Sequence, residues 1–126
     1  MTGVKKENKM KFKFENLVIW QKAMDYGEKI FSLSKKFPKD EIYYLTSQIR
    51  RAVDSVALNI SEGSIGQSNL EQKRFIGLAI RSLAELVTCL HKASRRNYIT
   101  ELDFSKHYDL AFELMNMMLA FKKKIT

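Results

Sequence analysis

A chain of 126 residues with one proline, Pro38, and five glycines has few places where a helix must stop. Between those places the apolar residues recur three and four apart, the spacing that aligns one face of an α-helix. This periodicity predicts an all-α chain without strands. The first helix runs from about Asn16 to Phe37, because the residue before Pro38 is pushed out of the helical region. The second spans about Ile42 to Glu62, with Gly63 as its C-terminal cap. After the loop "GSIGQS", Ser68 stands three residues before Glu71 with capping-box spacing and opens a third helix to about Arg96. Arg95 and Arg96 fall in its last turn, where cations complement the helix dipole. Thr100 opens a fourth helix to about Lys122. Connections this short make sequential helices antiparallel, so the expected architecture is an up-down-up-down four-helix bundle over residues 14–122, between a flexible basic N-terminus, 1–13, and a basic C-terminal end, 123–126.

The width of the apolar faces carries a second expectation. On the second helix Leu45, Ile49, Ala52, Val53, Val56 and Ile60 form one compact stripe. The fourth helix has two: Phe104, Tyr108, Ala111, Met115 and Met118, and beside them Leu110, Leu114, Met117 and Phe121. The first also has two: Leu17, Trp20, Met24 and Phe31, then Ile19, Ala23, Tyr26, Ile30 and Leu33. Such arcs exceed the roughly 100° stripe that one core needs. They are either the wide seams of a small bundle or a second face buried between subunits, and the second alternative predicts a homo-oligomer.

The formal net charge is +8 and the pI near 9.6, a balance that attracts nucleic acid or acidic membrane surfaces and leaves fold undecided. The terminal lysines, among them Lys5, Lys6, Lys9, Lys11, Lys13 and Lys122 to Lys124, read more simply as solubility tails. Cys89, the only cysteine, excludes an intramolecular disulfide and fits a reducing interior. The charged N-terminus has no apolar run behind it, and no segment reaches the roughly 18 apolar residues of a membrane span. The expected location is cytoplasmic.

Chemistry is hard to find. Cys89 and His91 are two residues apart, which on a helix points them in different directions, and neither they nor His107 have a further ligand at metal spacing. Cys89 reads as a small packed thiol. "EGSIGQS" lacks the Lys-Ser/Thr pair and preceding strand of a P-loop. No carboxylate couple stands on a shared apolar face. The expectation is a protein without catalysis, cofactor or metal.

The charges are better organised. On the third helix Phe75, Ala79, Leu83, Leu86 and Leu90 set the core side, and Arg74, Arg81 and Lys92 fall opposite, flanked by Arg95 and Arg96. Such a row can follow a phosphate backbone, although Glu85 interrupts it and Arg81–Glu85 has the i,i+4 spacing of a simple surface pair. Arg50 and Asp54 share that spacing on the second helix, while Arg51 points toward the side of Leu58 and Glu62. No aromatic platform of the kind used by single-strand binders is evident on the polar faces.

Three segments then point further: "FENLVIWQKAMD", "FPKDEIYYLTSQIRRAVDSVALNISEG" and "FIGLAIRSLAEL", in that order. Together they resemble the four-helix-bundle family of 23S rRNA intervening-sequence proteins, also labelled S23 ribosomal-protein-like, over about Phe12 to Phe121. The most specific runs are Leu45 to Ala52, Asn59 to Gly63 and Ser82 to Leu86. The resemblance implies a homopentamer. It extends to a related group, the accessory variability determinants of diversity-generating retroelements, which are basic pentamers working with a reverse transcriptase and nucleic acid. The implied function is non-catalytic nucleic-acid binding, to RNA, by backbone and shape with little sequence specificity. The alternative is a scaffold docking a nucleic-acid-processing enzyme such as a reverse transcriptase. Ser61 stands where relatives usually have Ala, and Gln67 where a basic residue is common. Within the shared motif Thr46, Gln48 and Asn59 are expected to make buried or interfacial hydrogen bonds, and Asn59 with Glu62 to fix the turn at Gly63. Arg50 and Arg51 have three readings, intrahelical pairing, inter-subunit salt bridges or phosphate contacts, with assembly favoured over direct nucleic-acid contact.

Overall fold

The computed structural model describes residues 11–66 and 68–126; Gln67 and the lysines before position 11 lie outside the described residues. These form four helices, α1 (Val18–Ser34), α2 (Leu45–Gly63), α3 (Asn69–Arg95) and α4 (Glu101–Lys124), with short 3-10 turns at Lys13–Asn16 and Lys39–Glu41. The first turn lies at the edge of the segment expected to be flexible, and Phe14 within it packs on Trp20 with ring centroids 5.2 Å apart. Among the described residues there is no strand.

Each helix end has a local cause. α1 stops three residues before the expected boundary because its last turn tightens into 3-10 bonds, ending with Phe37 N–H to the Ser34 carbonyl at 3.1 Å, before Pro38 extends the chain. α2 starts at Leu45 because the Glu41 carboxylate accepts the Leu45 N–H at 3.2 Å, acting as an external cap. Ser68 caps α3 by accepting the Glu71 N–H at 3.1 Å, but the Glu71 side chain turns to Arg74, so only half of the expected box forms. The complete box is on α4, where Thr100 and Asp103 exchange both bonds. α3 closes in a Schellman motif: Asn97 is left-handed at φ 61°, and Tyr98 N–H reaches the Ala93 carbonyl at 3.0 Å. Lys122, Lys123 and Lys124, expected partly beyond the helix, form the last turn of α4 against the negative end of its dipole.

Gly63 is not a cap. It is the buried last residue of α2, and a Cβ there would lie 2.8 Å from Cβ of Phe75 on α3. The glycine permits the two backbones to approach; the positive φ of the loop belongs to Gly66.

The six residues of the α2 stripe are all buried, together with Ile76, Ala79, Leu83, Leu86 and Leu90 of α3. α1 contributes its inner line, Ile19, Ala23, Tyr26, Ile30 and Leu33, whereas Met24 and Phe31 of the other stripe are exposed. α4 buries the narrow overlap between its two stripes, His107, Ala111, Leu114 and Met118, and leaves Tyr108 outside. Phe75 is only half-buried. Helix pairs α1/α2, α2/α3, α3/α4 and α1/α4 are in contact around this core. The polar His107 fits inside because its Nδ1–H donates to the Asp103 carbonyl at 2.8 Å, while the His107 carbonyl accepts from the Tyr26 hydroxyl at 2.7 Å. Among the described residues no helix is long and apolar enough to cross a membrane.

Candidate nucleic-acid interface

One carboxylate organises the end of the molecule where α2 begins and α3 ends. Oε1 of Glu41 caps α2, and Oε2 accepts from Arg96 at 3.0 Å and from the Tyr98 hydroxyl at 2.7 Å. The Tyr98 hydrogen bond, then the Leu45 N–H, hold the Glu41 carboxyl below its ordinary value. Tyr98 packs in turn on Phe37 with ring centroids 5.7 Å apart. The turn between Pro38 and α2 is thereby tied to the C-terminus of α3.

Beside this hub lies a recess of about 330 Å³. Tyr43 and Tyr44 enter it from the turn, Gln48 and Arg51 from α2, and Glu85, Lys92 and Arg96 from α3. Both tyrosines stand in solvent, Tyr43 at 85% and Tyr44 at 71% exposure. Arg51, on the α2 line it shares with Leu58 and Glu62, meets the basic residues of α3 here. One expectation is corrected: an aromatic pair does accompany the cations. The signal was the "YY" before the α2 motif: adjacent residues cannot share one helix face, so at least one had to leave the core. The tertiary contact that brings α3 beside them is absent from that local pattern.

The five cations of the α3 row separate by environment. Arg74 is near the start of the helix, paired with Glu71 at 3.5 Å and lying over the Phe75 ring at 5.2 Å. Arg96 is committed in part to Glu41. Arg81, Lys92 and Arg95 are exposed and make no ion pair among the described residues. The alternative Arg81–Glu85 pair does not form, and Glu85 faces the recess.

The α2 motif residues also resolve. Arg50 does not pair with Asp54. Its Nε donates to Ser34 Oγ on α1 at 2.7 Å, and its guanidinium stacks 4.3 Å from the Phe31 centroid. A buried hydroxyl and an aromatic face outcompete an exposed carboxylate, where the guanidinium would gain little over water. Asn59 reaches back one turn rather than forward to Gly63: Nδ2 donates to the Ser55 carbonyl at 2.8 Å and to Ser55 Oγ at 3.0 Å. Ser55 Oγ lies 2.9 Å from Ser82 Oγ of α3, so this polar chain joins the two helices. Thr46 is buried, and Glu62 is exposed.

Other chemistry is sparse. Cys89 is fully buried and its thiol is pushed up to about 11, first by burial and then by the nearby Glu85 charge, which leaves it protonated at neutral pH. Among the described residues no three His, Cys, Asp or Glu side chains are grouped to hold a metal ion.

The geometry can be set beside known proteins. A family model described as 23S rRNA-intervening sequence protein matches residues 15–120. No curated protein matches the chain. Among solved structures it is similar to a protein of unknown function from the S23 ribosomal protein family of Bacteroides thetaiotaomicron, with 21% identity and a TM-score of 0.78, over 85% of this chain and 100% of that one. A likeness at this identity concerns the fold. The family match, by contrast, extends from the turn before α1 into the last turns of α4 and takes in α2 and α3 whole, so the chain belongs to the 23S rRNA-intervening sequence protein family.

Proposed function

We propose that this protein is a non-catalytic, basic, oligomeric nucleic-acid-binding protein whose α3 face and adjoining recess contact the phosphate backbone of RNA. The observation that carries the reading is the convergence of Arg51, Lys92 and Arg96 at one rim, continued by Arg81 and Arg95 along the exposed side of α3. Cations without partners can neutralise phosphates and release their counterions, the main driving force for backbone binding. RNA is proposed over DNA in keeping with the family description, 23S rRNA-intervening sequence protein.

The helices are read as an up-down-up-down bundle. The Lys36–Asp103 bridge joining the end of α1 to the start of α4, at 2.8 Å, supports this, as does the approach of Gly63, at the end of α2, to Phe75 near the start of α3. A homo-oligomer, pentameric by family resemblance, would cover the exposed apolar side chains Met24 and Leu58 on one side and Tyr108, Phe112 and Leu119 on another. Cytoplasmic location accords with the single buried thiol.

The test is binding of the purified protein to a labelled structured RNA and a matched duplex DNA across a salt series, with light scattering on the same samples. Binding by an oligomer should fall steeply with salt. Exchanging Arg81, Lys92 and Arg95 for Gln should lower the logarithmic salt slope by about 1 for each phosphate contact removed. An unchanged slope removes α3 from the interface.

A second reading is a scaffold that docks a nucleic-acid-processing enzyme such as a reverse transcriptase. It is favoured by the row Phe104, Tyr108 and Phe112 on α4, whose successive rings stack at 5.6 and 6.5 Å with two of them exposed, a face that in this reading the enzyme covers in place of a second copy. A folded oligomer that ignores both nucleic acids at low salt would make this the leading reading.

A further inference from the structure

We infer that the recess between the Tyr43–Tyr44 turn and the end of α3 takes unpaired nucleotides of a single strand, with bases stacked on the tyrosines and the backbone held by Arg51, Lys92 and Arg96. This rests on the nucleic-acid reading above and adds the state of the strand.

Two consecutive tyrosines in solvent, at 85% and 71% exposure, forgo the burial that normally stabilises such rings. Their backbone is nevertheless well fixed. Tyr44 N–H bonds to the Glu41 carbonyl at 2.9 Å, and the next residue, Leu45, is held by the Glu41 carboxylate. That carboxylate is anchored by Arg96 and Tyr98, so the turn cannot move without breaking the hub. A turn ordered in advance spares part of the entropy that a flexible loop would lose on binding. Exposed rings beside a cationic rim are the two parts of a single-strand site: the rings accept the π-face of any base, and the cations track the phosphates.

Duplex bases already stack on one another and offer no free face along the helix, so the tyrosines discriminate by strand state rather than by sequence. Gln48, at the recess wall, can both donate to and accept from a base edge. Glu85 is the one carboxylate in the lining and repels phosphate. It therefore favours a pose in which bases, whose exocyclic amines it can accept from, face inward and the backbone passes along the cations.

The experiment compares a labelled single-stranded oligoadenylate of about twelve nucleotides with its duplex on oligouridylate, at one salt concentration. The protein is the full chain, as wild type, as Tyr43→Ser with Tyr44→Ser, and as Tyr43→Phe with Tyr44→Phe. Wild type should prefer the single strand. The serine pair should lose about tenfold or more on the single strand and almost nothing on duplex, and the phenylalanine pair should retain wild-type affinity. Photocrosslinking of wild type to the single strand, mapped to the peptide carrying Tyr43 and Tyr44, supplies a readout independent of how the variants fold. Equal binding of both strand states, untouched by the serine pair and with crosslinks elsewhere, would overturn the stacking site and leave the charge-based reading standing. Failure of folded wild type to bind either nucleic acid would overturn both.

Discussion

The α2/α3 seam and the α1/α4 seam are built from different materials. At the first, backbones meet: Gly63 is closed against Phe75, Ser55 and Ser82 touch at 2.9 Å, and the facing residues Val56, Ile60, Ala79 and Leu83 are all buried. At the second, the helices stand apart around recesses of about 120 and 400 Å³. There they are joined by Lys22–Glu113 at 3.9 Å, Lys36–Asp103 at 2.8 Å and the Tyr26 hydroxyl on the His107 carbonyl. A seam closed by small residues fixes register through sterics, which salt and pH barely alter. A seam bridged by long polar side chains is held by interactions that water and protons weaken. The cationic rim belongs to the α2/α3 seam, since Arg51 and Lys92 project from its two helices.

The largest effect should come from within the tight seam. Leu83→Ala, at a site with no exposure, should cost about 2–5 kcal/mol in chemical denaturation, because packed neighbours collapse poorly into the space left. A loss under about 1 kcal/mol would show that the seam is looser than its burial indicates. Gly63→Ala comes next. Alanine brings about 1 kcal/mol of helix propensity, yet its Cβ would meet a Cβ that cannot rotate away, so overpacking of about 1–3 kcal/mol should give a net loss or at best no gain. A clear rise in the melting midpoint would break the account of why glycine stands there.

The α1/α4 seam should respond more weakly. Tyr26→Phe removes one buried hydrogen bond and keeps the ring, for about 1 kcal/mol. Burial pushes the Tyr26 phenol well above its usual range, so the hydroxyl remains a donor at any pH at which the protein is handled.

Acid sharpens the comparison further. Lys36, then the Thr100 cap, hold the Asp103 carboxyl below its ordinary 3.8, and Tyr98 and Leu45 hold Glu41 below 4.5. A carboxyl depressed in the folded state contributes stability that is complete above its unfolded value and lost as pH falls through the folded one. Denaturant midpoints should therefore be flat near neutrality and decline below about pH 5. Asp103→Asn should flatten part of that decline while keeping a capping oxygen, and Glu41→Gln should flatten another part. A pH profile identical in wild type and both variants would remove these carboxylates from the linkage.

Much of this was legible from residues three and four apart. The α2 stripe was buried in full because its burial is a property of one helix turning at a fixed rate. Thr100 and Ser68 marked helix starts because a cap acts within a single turn. Sequence reasoning failed where a local partner competed with a distant one. Arg50 had Asp54 one turn away and chose Ser34 and Phe31 on α1. Asn59 was expected to reach the turn at Gly63, and instead bonds Ser55 in the chain that meets Ser82. Gly63 looked like a cap because the neighbour that excludes a side chain, Phe75, comes from the next helix.

The recess shows the same division. Periodicity determined that the chain makes four helices, that the α2 stripe and Ala79, Leu83, Leu86 and Leu90 of α3 are buried, and that a row of cations lies opposite the α3 core, because each follows from the geometry of one helix. Only the tertiary structure decided that Arg51 of α2 joins Lys92 and Arg96 of α3, that Glu41 occupies one of those cations, and that Tyr43 and Tyr44 stand beside them. Those outcomes depend on how two helices meet, and the register of a contact between helices is set by side chains from both, which no single helical repeat encodes.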